Sequence, residues 1–298
     1  MSLITVPDAF PSMVRAIGRA ALIIGRTCDE RALTEALVPD WLITNTSDRT
    51  KARKRVRQAL RSAVAAGMLQ DSGGTFDVVE PWQSAFAHDA TPDEFATTLA
   101  LQLRCTSAEG LGDLTRTAAW LLLQDPFAPP LTPNRIVDLF SEQFTNTEPP
   151  FKPNDVRIQM AAMWVHYLGI GVRWSLGPRW SLMPDLTRLI LRIGKTLPDL
   201  HRSAGIADWL ALARRHLPFL PGGDVSLEVA RSSKTPAAPD SSLAPSLALA
   251  LQRLELQGVV TLETASDAKH EFSFRAIDRP RHKRRVSRIA WKRQAVAA

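Results

Sequence analysis

One pattern of apolar and polar positions occurs three times along the chain. Each copy has an apolar stripe at helical spacing, then a glycine, two or three apolar residues, a turn and a second short strand. Glycine readily adopts the left-handed backbone conformation that follows many helices, so each copy predicts a helix that leads directly into a hairpin. The copies are too far apart for a solenoid repeat and are typical of tandem domains. The three glycines are Gly67, Gly169 and Gly258.

The pattern predicts a mainly α protein with small β-hairpins, of the α+β class. A helix that ends in glycine and is followed at once by a hairpin is typical of a winged-helix domain, so we expect tandem winged-helix units. In the third copy, the turn is expected at Ser266–Asp267 and the second strand at 271–274. The predicted organisation is a winged helix with a basic third helix at 7–82, a helical connector at 83–112, a second winged-helix-like unit at 113–198, a third, whose middle helix is unclear, at 199–277, and a basic tail at 278–298.

The positive charge is concentrated in two short segments. The net charge of the whole chain is +7, whereas residues 48–61 alone carry +6 and residues 279–293 carry +8. The other 269 residues therefore carry a net charge of −7. Basic clusters on an acidic body indicate a polyanionic partner rather than a general solubility device.

The first basic segment coincides with the third helix of the first unit, predicted at 48–66. Val56, Leu60 and Val64 belong to its apolar stripe, while arginines recur every four residues on another face. A helix with an arginine face suits the DNA major groove, and we expect it to bind mainly phosphates. The alternative is a solvated face that pairs with acids elsewhere. The predicted binding residues are Arg49, Lys51, Arg53, Lys54, Arg57 and Arg61.

The second basic segment is the expected tail, which resembles arms that lie along a phosphate backbone. Trp291 within it is expected either to stack on a base or to pack on the protein. The alternatives are a disordered solubilising tail and a segment that binds RNA or a protein partner. Strong weakening by salt is the expected signature of phosphate contacts. The predicted binding residues are Arg281, Lys283, Arg284, Arg285 and Arg288.

The third helix of the second unit, which ends at Tyr167, is apolar nearly all round and contains one arginine, Arg157. Such a helix is expected to be buried against a neighbouring domain or a partner. In the following hairpin, Trp174 and Trp180 stand near arginines and are expected to be core side chains. The second unit is therefore interpreted as a scaffold or an interaction module.

The sequence contains no recognisable catalytic motif, so we expect a protein that is not an enzyme and needs no cofactor. Its six histidines lack metal-ligand spacing, and there is no nucleophile elbow, P-loop or dinucleotide fingerprint. Cys28 and Cys105 are too few for a disulfide framework, and we expect idle thiols. No apolar run reaches the length of a membrane span, and the N-terminus lacks the basic region of a signal peptide. The expected location is the cytoplasm.

Two resemblances follow from these motifs. The basic helix, Gly67 and the hairpin at Gly73–Gly74 resemble a winged-helix domain of bacterial transcription regulators, over residues 11–80. The length, the opening at 3–8 and the three-unit layout resemble the DpdG-type proteins. That resemblance implies an accessory protein of bacterial gene clusters that insert deazapurine bases into DNA and restrict foreign DNA.

The expected function is that of a non-enzymatic DNA-binding component of a bacterial DNA modification or anti-phage defence system. Its expected partners are double-stranded DNA and other protein subunits, without a membrane. Three alternatives remain open: a protein-only adaptor, a dimeric winged-helix transcription regulator, and an enzyme whose site is assembled from distant residues.

Overall fold

The computed structural model describes residues 2–25, 28–43, 45–107, 110–177, 179–201, 204–235, 241–265, 270–277 and 282–292. It is of mixed α and β structure, 52% helical, and its strands form small antiparallel sheets. The predicted combination of helices with small hairpins is therefore confirmed.

The first segment has three helices followed by a hairpin. Asp29 caps the second helix by accepting a hydrogen bond from the Ala32 N–H at 2.6 Å, and Asn45 caps the third. Between the first two helices, Asp29 forms a β-bridge with Thr75 of the hairpin. The elements are α1 (Pro11–Ile24), α2 (Glu30–Leu37), α3 (Thr46–Ala65), β1 (Leu69–Asp71) and β2 (Phe76–Val78).

A connector of two helices follows, α4 (Trp82–Phe86) and α5 (Pro92–Gln102). Thr91 and Glu94 form a reciprocal capping box at the start of α5. Phe86 and Phe95 pack with ring centroids 5.3 Å apart. The connector thus adds an aromatic cluster to the core that it shares with the rest of the chain.

The second segment repeats the order of the first. A β-bridge between Leu131 and Leu182 links the stretch between its first two helices to its hairpin. Thr132 and Asn154 cap the second and third helices by accepting hydrogen bonds from backbone N–H groups of the first turn. The elements are α6 (Gly112–Leu123), α7 (Pro133–Gln143), α8 (Asp155–Tyr167), β3 (Gly171–Leu176) and β4 (Arg179–Pro184).

The third segment begins after one further helix, α9 (Thr187–Thr196), and a 3-10 turn, Pro198–His201. Its middle helix, unclear in the sequence, is α11. The elements are β5 (Ala204–Gly205), α10 (Ile206–His216), α11 (Asp224–Ser232), α12 (Pro245–Leu256), β6 (Val260–Glu263), β7 (Phe272–Arg275), β8 (Lys283–Val286) and β9 (Arg288–Trp291).

All three glycines of the repeated pattern end a helix in the left-handed conformation, with φ of +66°, +69° and +74°. Each glycine N–H and the N–H that follows it donate to carbonyls of the last helical turn at 2.9–3.0 Å. This double bond is the Schellman arrangement, which satisfies carbonyls that the helix leaves unpaired. The predicted ending of α3, α8 and α12 is thereby confirmed.

The third hairpin differs from the expectation. Strand β6 pairs with β9 and β7 pairs with β8, whereas β6 and β7 are not paired with each other. The expected turn at Ser266–Asp267 lies outside the described residues. The return strand therefore comes from 283–291, the segment that the charge pattern presents as a tail. This segment joins the fold because it contains apolar residues between the basic ones, and two of these, Val286 and Ile289, are fully buried.

The segments share one hydrophobic core. Buried side chains from the first residues to β9 form a single cluster. The Trp164 indole N–H in α8 donates to the Ala9 carbonyl at 3.0 Å, and the Ser246 hydroxyl in α12 donates to the Leu122 carbonyl at 2.7 Å. Asp93 in α5 accepts a hydrogen bond from Arg188 in α9 at 2.6 Å. These contacts fix the second segment between the other two.

Candidate nucleic-acid interface

Helix α3 has one buried face and one basic face. Val56, Ala59 and Leu60 lie in the core, where α3 packs against α1 and α2. Positions 49, 53, 57 and 61 are all arginine, and residues four apart lie on one side of a helix. We call Arg49, Arg53, Arg57 and Arg61 the arginine stripe. It is continuous over about four helical turns.

Carboxylates from the same segment meet most of the basic side chains of α3. Asp40 is shared by two stripe arginines, and Glu30 in α2 holds a third. Helix α3 carries seven basic side chains, which meet four carboxylates, so a surplus of three positive charges remains. The ion pairs are Asp40 with Arg49 at 3.0 Å and with Arg53 at 2.5 Å, Glu30 with Arg57 at 2.7 Å, Asp48 with Lys51 at 3.7 Å, and Asp8 with Arg55 at 3.4 Å.

The remaining two basic residues of α3 differ from these five. Lys54 and Arg61 are exposed and form no ion pair with any part of the chain that the structure describes. The sequence therefore predicts the basic face correctly but not the uneven pairing along it. The alternative of a face that pairs with acids is realised for part of the helix.

Each pair along α3 has at least one exposed partner, and surface pairs contribute only about 0–1 kcal/mol each to stability. A DNA phosphate offers arginine the same bidentate geometry and the same single negative charge as a carboxylate. The carboxylates therefore orient the arginines. Because these pairs are weak, a phosphate can replace a carboxylate as the partner of an arginine at little energetic cost. The stripe is chemically suited to a polyanion, and Asp40 and Glu30 are the groups that such a ligand would displace.

The second basic segment is built into a sheet. Lys283 and Arg285 on β8 and Arg288 on β9 are exposed, and Arg285 pairs with Glu271 at 3.3 Å. Arg281 lies outside the described residues. Over 283–291, the expected free arm is therefore two sheet strands that carry exposed cations, with β8 paired to β7 and β9 between β5 and β6.

Arg284 differs from its neighbours because it holds the hairpin to α12. Its guanidinium donates to both carboxylate oxygens of Glu255 and, at 3.0 Å, to the Leu262 carbonyl. Burial alone raises the pKa of Glu255, but the hydrogen bonds from Arg284 and from the Leu262 N–H outweigh it and hold that pKa below its usual range. Arg284 therefore has an evident structural role, which the sequence pattern did not distinguish from binding.

The second segment presents little of this charge. Helix α8 buries most of its length, and its single arginine, Arg157, donates to the Lys152 carbonyl at 3.3 Å. In the hairpin, the Arg173 guanidinium lies 5.1 Å from the ring centre of Trp180, which is buried. The expectation of a buried helix and of Trp180 as a core side chain is confirmed, whereas Trp174 is only half-buried and does not belong to the core, so that prediction was wrong.

The residues that the structure describes hold no cluster of metal-binding side chains. No group of three or more histidine, cysteine or acidic side chains in these ranges is arranged to hold a metal ion. A cavity of about 560 Å³ beside the end of α3 is lined by Gly67, Trp82 and other neutral side chains, with Glu80 as the one titratable group among the described lining residues. Within the same ranges, every helix is too short or too polar to cross a membrane.

Sequence reasoning missed the loop between α2 and α3. Asp40 bridges two stripe arginines, and Trp41 beside it is 79% exposed. The available signal was an aromatic residue in a proline–aspartate turn directly before a basic helix. An exposed tryptophan in that place is unusual because its ring is large and mostly apolar.

Comparisons with known proteins give one match. A family model described as DpdG-like matches residues 1–268 of the 298 in the chain. The match associates the chain with a DNA modification system. No curated protein and no solved structure matched the chain.

Proposed function

The chain belongs to the DpdG-like family, and we propose that it is the non-enzymatic DNA-binding component of a DNA modification system with a role in defence against phage. The arginine stripe of α3 and the exposed cations of β8 and β9 contact phosphates of double-stranded DNA. The second and third segments bind other protein subunits. The single observation that carries this proposal is the stripe, four arginines in register along one helix face, of which Arg57 and Arg61 are exposed and Arg49 and Arg53 are half-buried.

We also propose that the chain contains tandem winged-helix units, the first at 7–82 and the second at 113–198, with a third that begins at 199 and extends beyond the predicted end at 277 to include its return strand β9. The order of elements supports the first two. Each has a helix, a bridged stretch, two further helices, a left-handed glycine and a hairpin, and the bridges at Asp29 and Leu131 supply the short third strand. In that arrangement, α3 is the helix that enters the major groove.

Three observations support phosphate contact by α3. The stripe is long enough to span several phosphates, its ion pairs lie at the surface and are weak, and α3 keeps a surplus of three positive charges after pairing with the carboxylates that the structure describes. Outside the two basic segments the chain is net acidic, so this charge is local. Binding of this kind is largely independent of base sequence and falls steeply with salt.

The test is a fluorescence anisotropy titration of a random 20-base-pair duplex at about 50 mM and 200 mM salt. The variant with Arg53, Arg57 and Arg61 changed to Ala is expected to bind about 100-fold more weakly at the lower salt, which corresponds to about 3 kcal/mol. Its salt slope is expected to fall by about one for each lost phosphate contact.

The matched control changes Arg104, Arg135 and Arg231 to Ala, three exposed arginines on other elements. It removes the same charge, so it separates the stripe from net charge. We expect a loss of about threefold or less. Equal loss in both variants, or parental affinity in the stripe variant, would contradict the proposal.

Two other functions make different predictions. A protein-only adaptor shows no salt-dependent DNA affinity, and its assembly is insensitive to Arg53, Arg57 and Arg61. A dimeric transcription regulator protects a palindromic site. The stripe favours DNA over the adaptor because its cations are exposed on a convex helix, whereas α8 is the buried helix suited to protein contact.

A further inference from the structure

The loop between α2 and α3 carries two large apolar side chains at its surface. Trp41 is 79% exposed and Leu42 is 60% exposed. The loop is a defined turn, because the Leu42 N–H donates to the Pro39 carbonyl at 3.1 Å. Asp40 and Trp41 are therefore the two central residues of a β-turn, with the indole at its apex.

Asp40 fixes this turn beside the arginine stripe. Its carboxylate lies 3.0 Å from the Arg49 guanidinium and 2.5 Å from that of Arg53. The residue that follows Asp40 must lie close to the same end of the stripe, since adjacent Cα atoms are 3.8 Å apart. The tryptophan is thus part of the cationic surface and not a separate apolar patch.

An exposed aromatic ring beside a row of cations matches the two parts of a surface that holds unstacked bases. Cations follow the phosphates, and the aromatic side chain offers a face on which one base stacks, whatever its identity. Apolar side chains at a DNA surface also act as wedges that enter a base step and partly unstack it. Continuous duplex covers its base faces, so both contacts cost less where a base has already lost its stacking.

We propose that Trp41 stacks on a base that has left the helix, so that the first segment binds DNA with an unpaired or unstacked base more tightly than it binds continuous duplex. This inference rests on the proposed function, because the stripe must first hold the backbone. Leu42 extends the apolar contact to the neighbouring sugar. The turn, the stripe and the indole together form one binding surface.

The experiment compares two labelled DNAs, a 20-base-pair duplex and the same duplex with a central two-base bubble that contains 2-aminopurine. Parent, Trp41→Ala, Trp41→Phe and Leu256→Ala are titrated with both. Leu256 is the matched control because it is 78% exposed and lies in α12. Trp41→Ala is expected to weaken bubble binding about 10-fold and duplex binding less than twofold. Trp41→Phe restores most of the bubble affinity, and Leu256→Ala leaves both affinities unchanged.

The fluorescence of 2-aminopurine gives an independent readout of stacking. We expect it to be quenched on binding of the parent but not of Trp41→Ala. If the parent binds the duplex and Trp41→Ala binds both DNAs as the parent does, the inference fails and the proposed function survives. If the parent binds neither DNA, both fail. A loss of self-association in Trp41→Ala at an unchanged ratio of bubble to duplex affinity would assign the turn to a protein contact and overturn the inference.

Discussion

Segments 11–78 and 112–184 have the same order of elements, yet their third helices face different surroundings. Both run through a helix, a bridged stretch, two helices, a left-handed glycine and a hairpin. Helix α3 carries seven basic side chains and has an exposed face, whereas α8 carries one arginine and is largely buried. The common order therefore does not determine what the third helix contacts.

The comparison shows that the residues on the outer face of each third helix, and not its position in the fold, determine what that helix can bind. Counted back from the glycine that ends each helix, α8 has no cation at the positions that correspond to Arg53, Arg57 and Arg61 of α3. The buried side of α8 carries Trp164, which packs into the core and bonds to Ala9 of the N-terminal segment. We accordingly expect substitutions in α8 to cost stability and substitutions in α3 to cost binding.

The largest expected effect is that of Trp164→Ala in α8. The variant leaves a cavity at a fully buried site and an unpaired Ala9 carbonyl, so the free energy of unfolding should fall by about 3–5 kcal/mol. Urea denaturation of the full chain measures it. Val156→Ala, at a half-exposed position on the same helix, should cost less than about 1 kcal/mol. If Trp164→Ala lost no more stability than is expected of Val156→Ala, the buried role of α8 would be refuted.

The second prediction concerns the bridged stretches, where the first segment has Cys28 and the second has Leu131. Burial and, to a smaller extent, the charges of Asp29 and Asp77 raise the pKa of the Cys28 thiol to about 11. The thiolate is the reactive form, so Cys28 should react with a disulfide reagent at pH 8 at least about a hundredfold more slowly than the exposed Cys105. Absorbance of the released thiol gives both rates.

The Cys105→Ser variant assigns the rates, since it should lose the fast phase and keep the slow one. In denaturant, both thiols of the parent should react alike. Two equally fast thiols in the folded protein would mean that the stretch at Cys28 is open in solution. The first segment would then lack the bridge that makes it comparable with the second.

Local signals explain why much of this comparison could be predicted from the sequence. Caps such as Asn154 and helix ends such as Gly67 depend on a few neighbouring residues, so the local sequence is enough to predict them. The pairing of β9 with β6 is long-range, and the arginines around Ile289 hid its apolar spacing. The contacts of Asp40 with the stripe depend on how a loop folds back, which spacing along α3 does not encode.

Helix α12 is the third of the helices that end in a glycine of the repeated pattern. Its pair with Arg284 allows a smaller test of what a basic residue contributes there. Glu255→Gln should lower the free energy of unfolding by about 1 kcal/mol at pH 7, because it weakens the half-buried pair with Arg284. The folded-state pKa of Glu255 lies below its ordinary value near 4.5. The parent is therefore more stable than Glu255→Gln by the full amount above that value. This difference in the free energy of unfolding is lost as the pH falls through the lower folded-state pKa.

Thermal unfolding of parent and Glu255→Gln between pH 7 and pH 3 measures this difference, which should shrink once the pH falls below about 4.5, the ordinary pKa of the group. Glu271 supplies the matched control because its partner Arg285 is 71% exposed, and Glu271→Gln should change stability by less than about 0.5 kcal/mol. A difference between parent and Glu255→Gln that stays constant over this pH range would mean that the pair is not its source.

The smallest expected effect is a gain of affinity, and it bears directly on the contrast between α3 and α8. Asp40→Asn keeps the shape of the turn but removes the carboxylate shared by Arg49 and Arg53, which should make DNA binding about threefold tighter at low salt. Glu35→Gln is the control, because it makes the same change of charge beside Arg31 on α2 and should alter affinity less than 1.5-fold. If the two variants gain DNA affinity equally, the change in net charge alone explains the gain. If Asp40→Asn binds more weakly, the carboxylate is needed to aim the arginines, and the exchange of carboxylate for phosphate at the stripe is refuted.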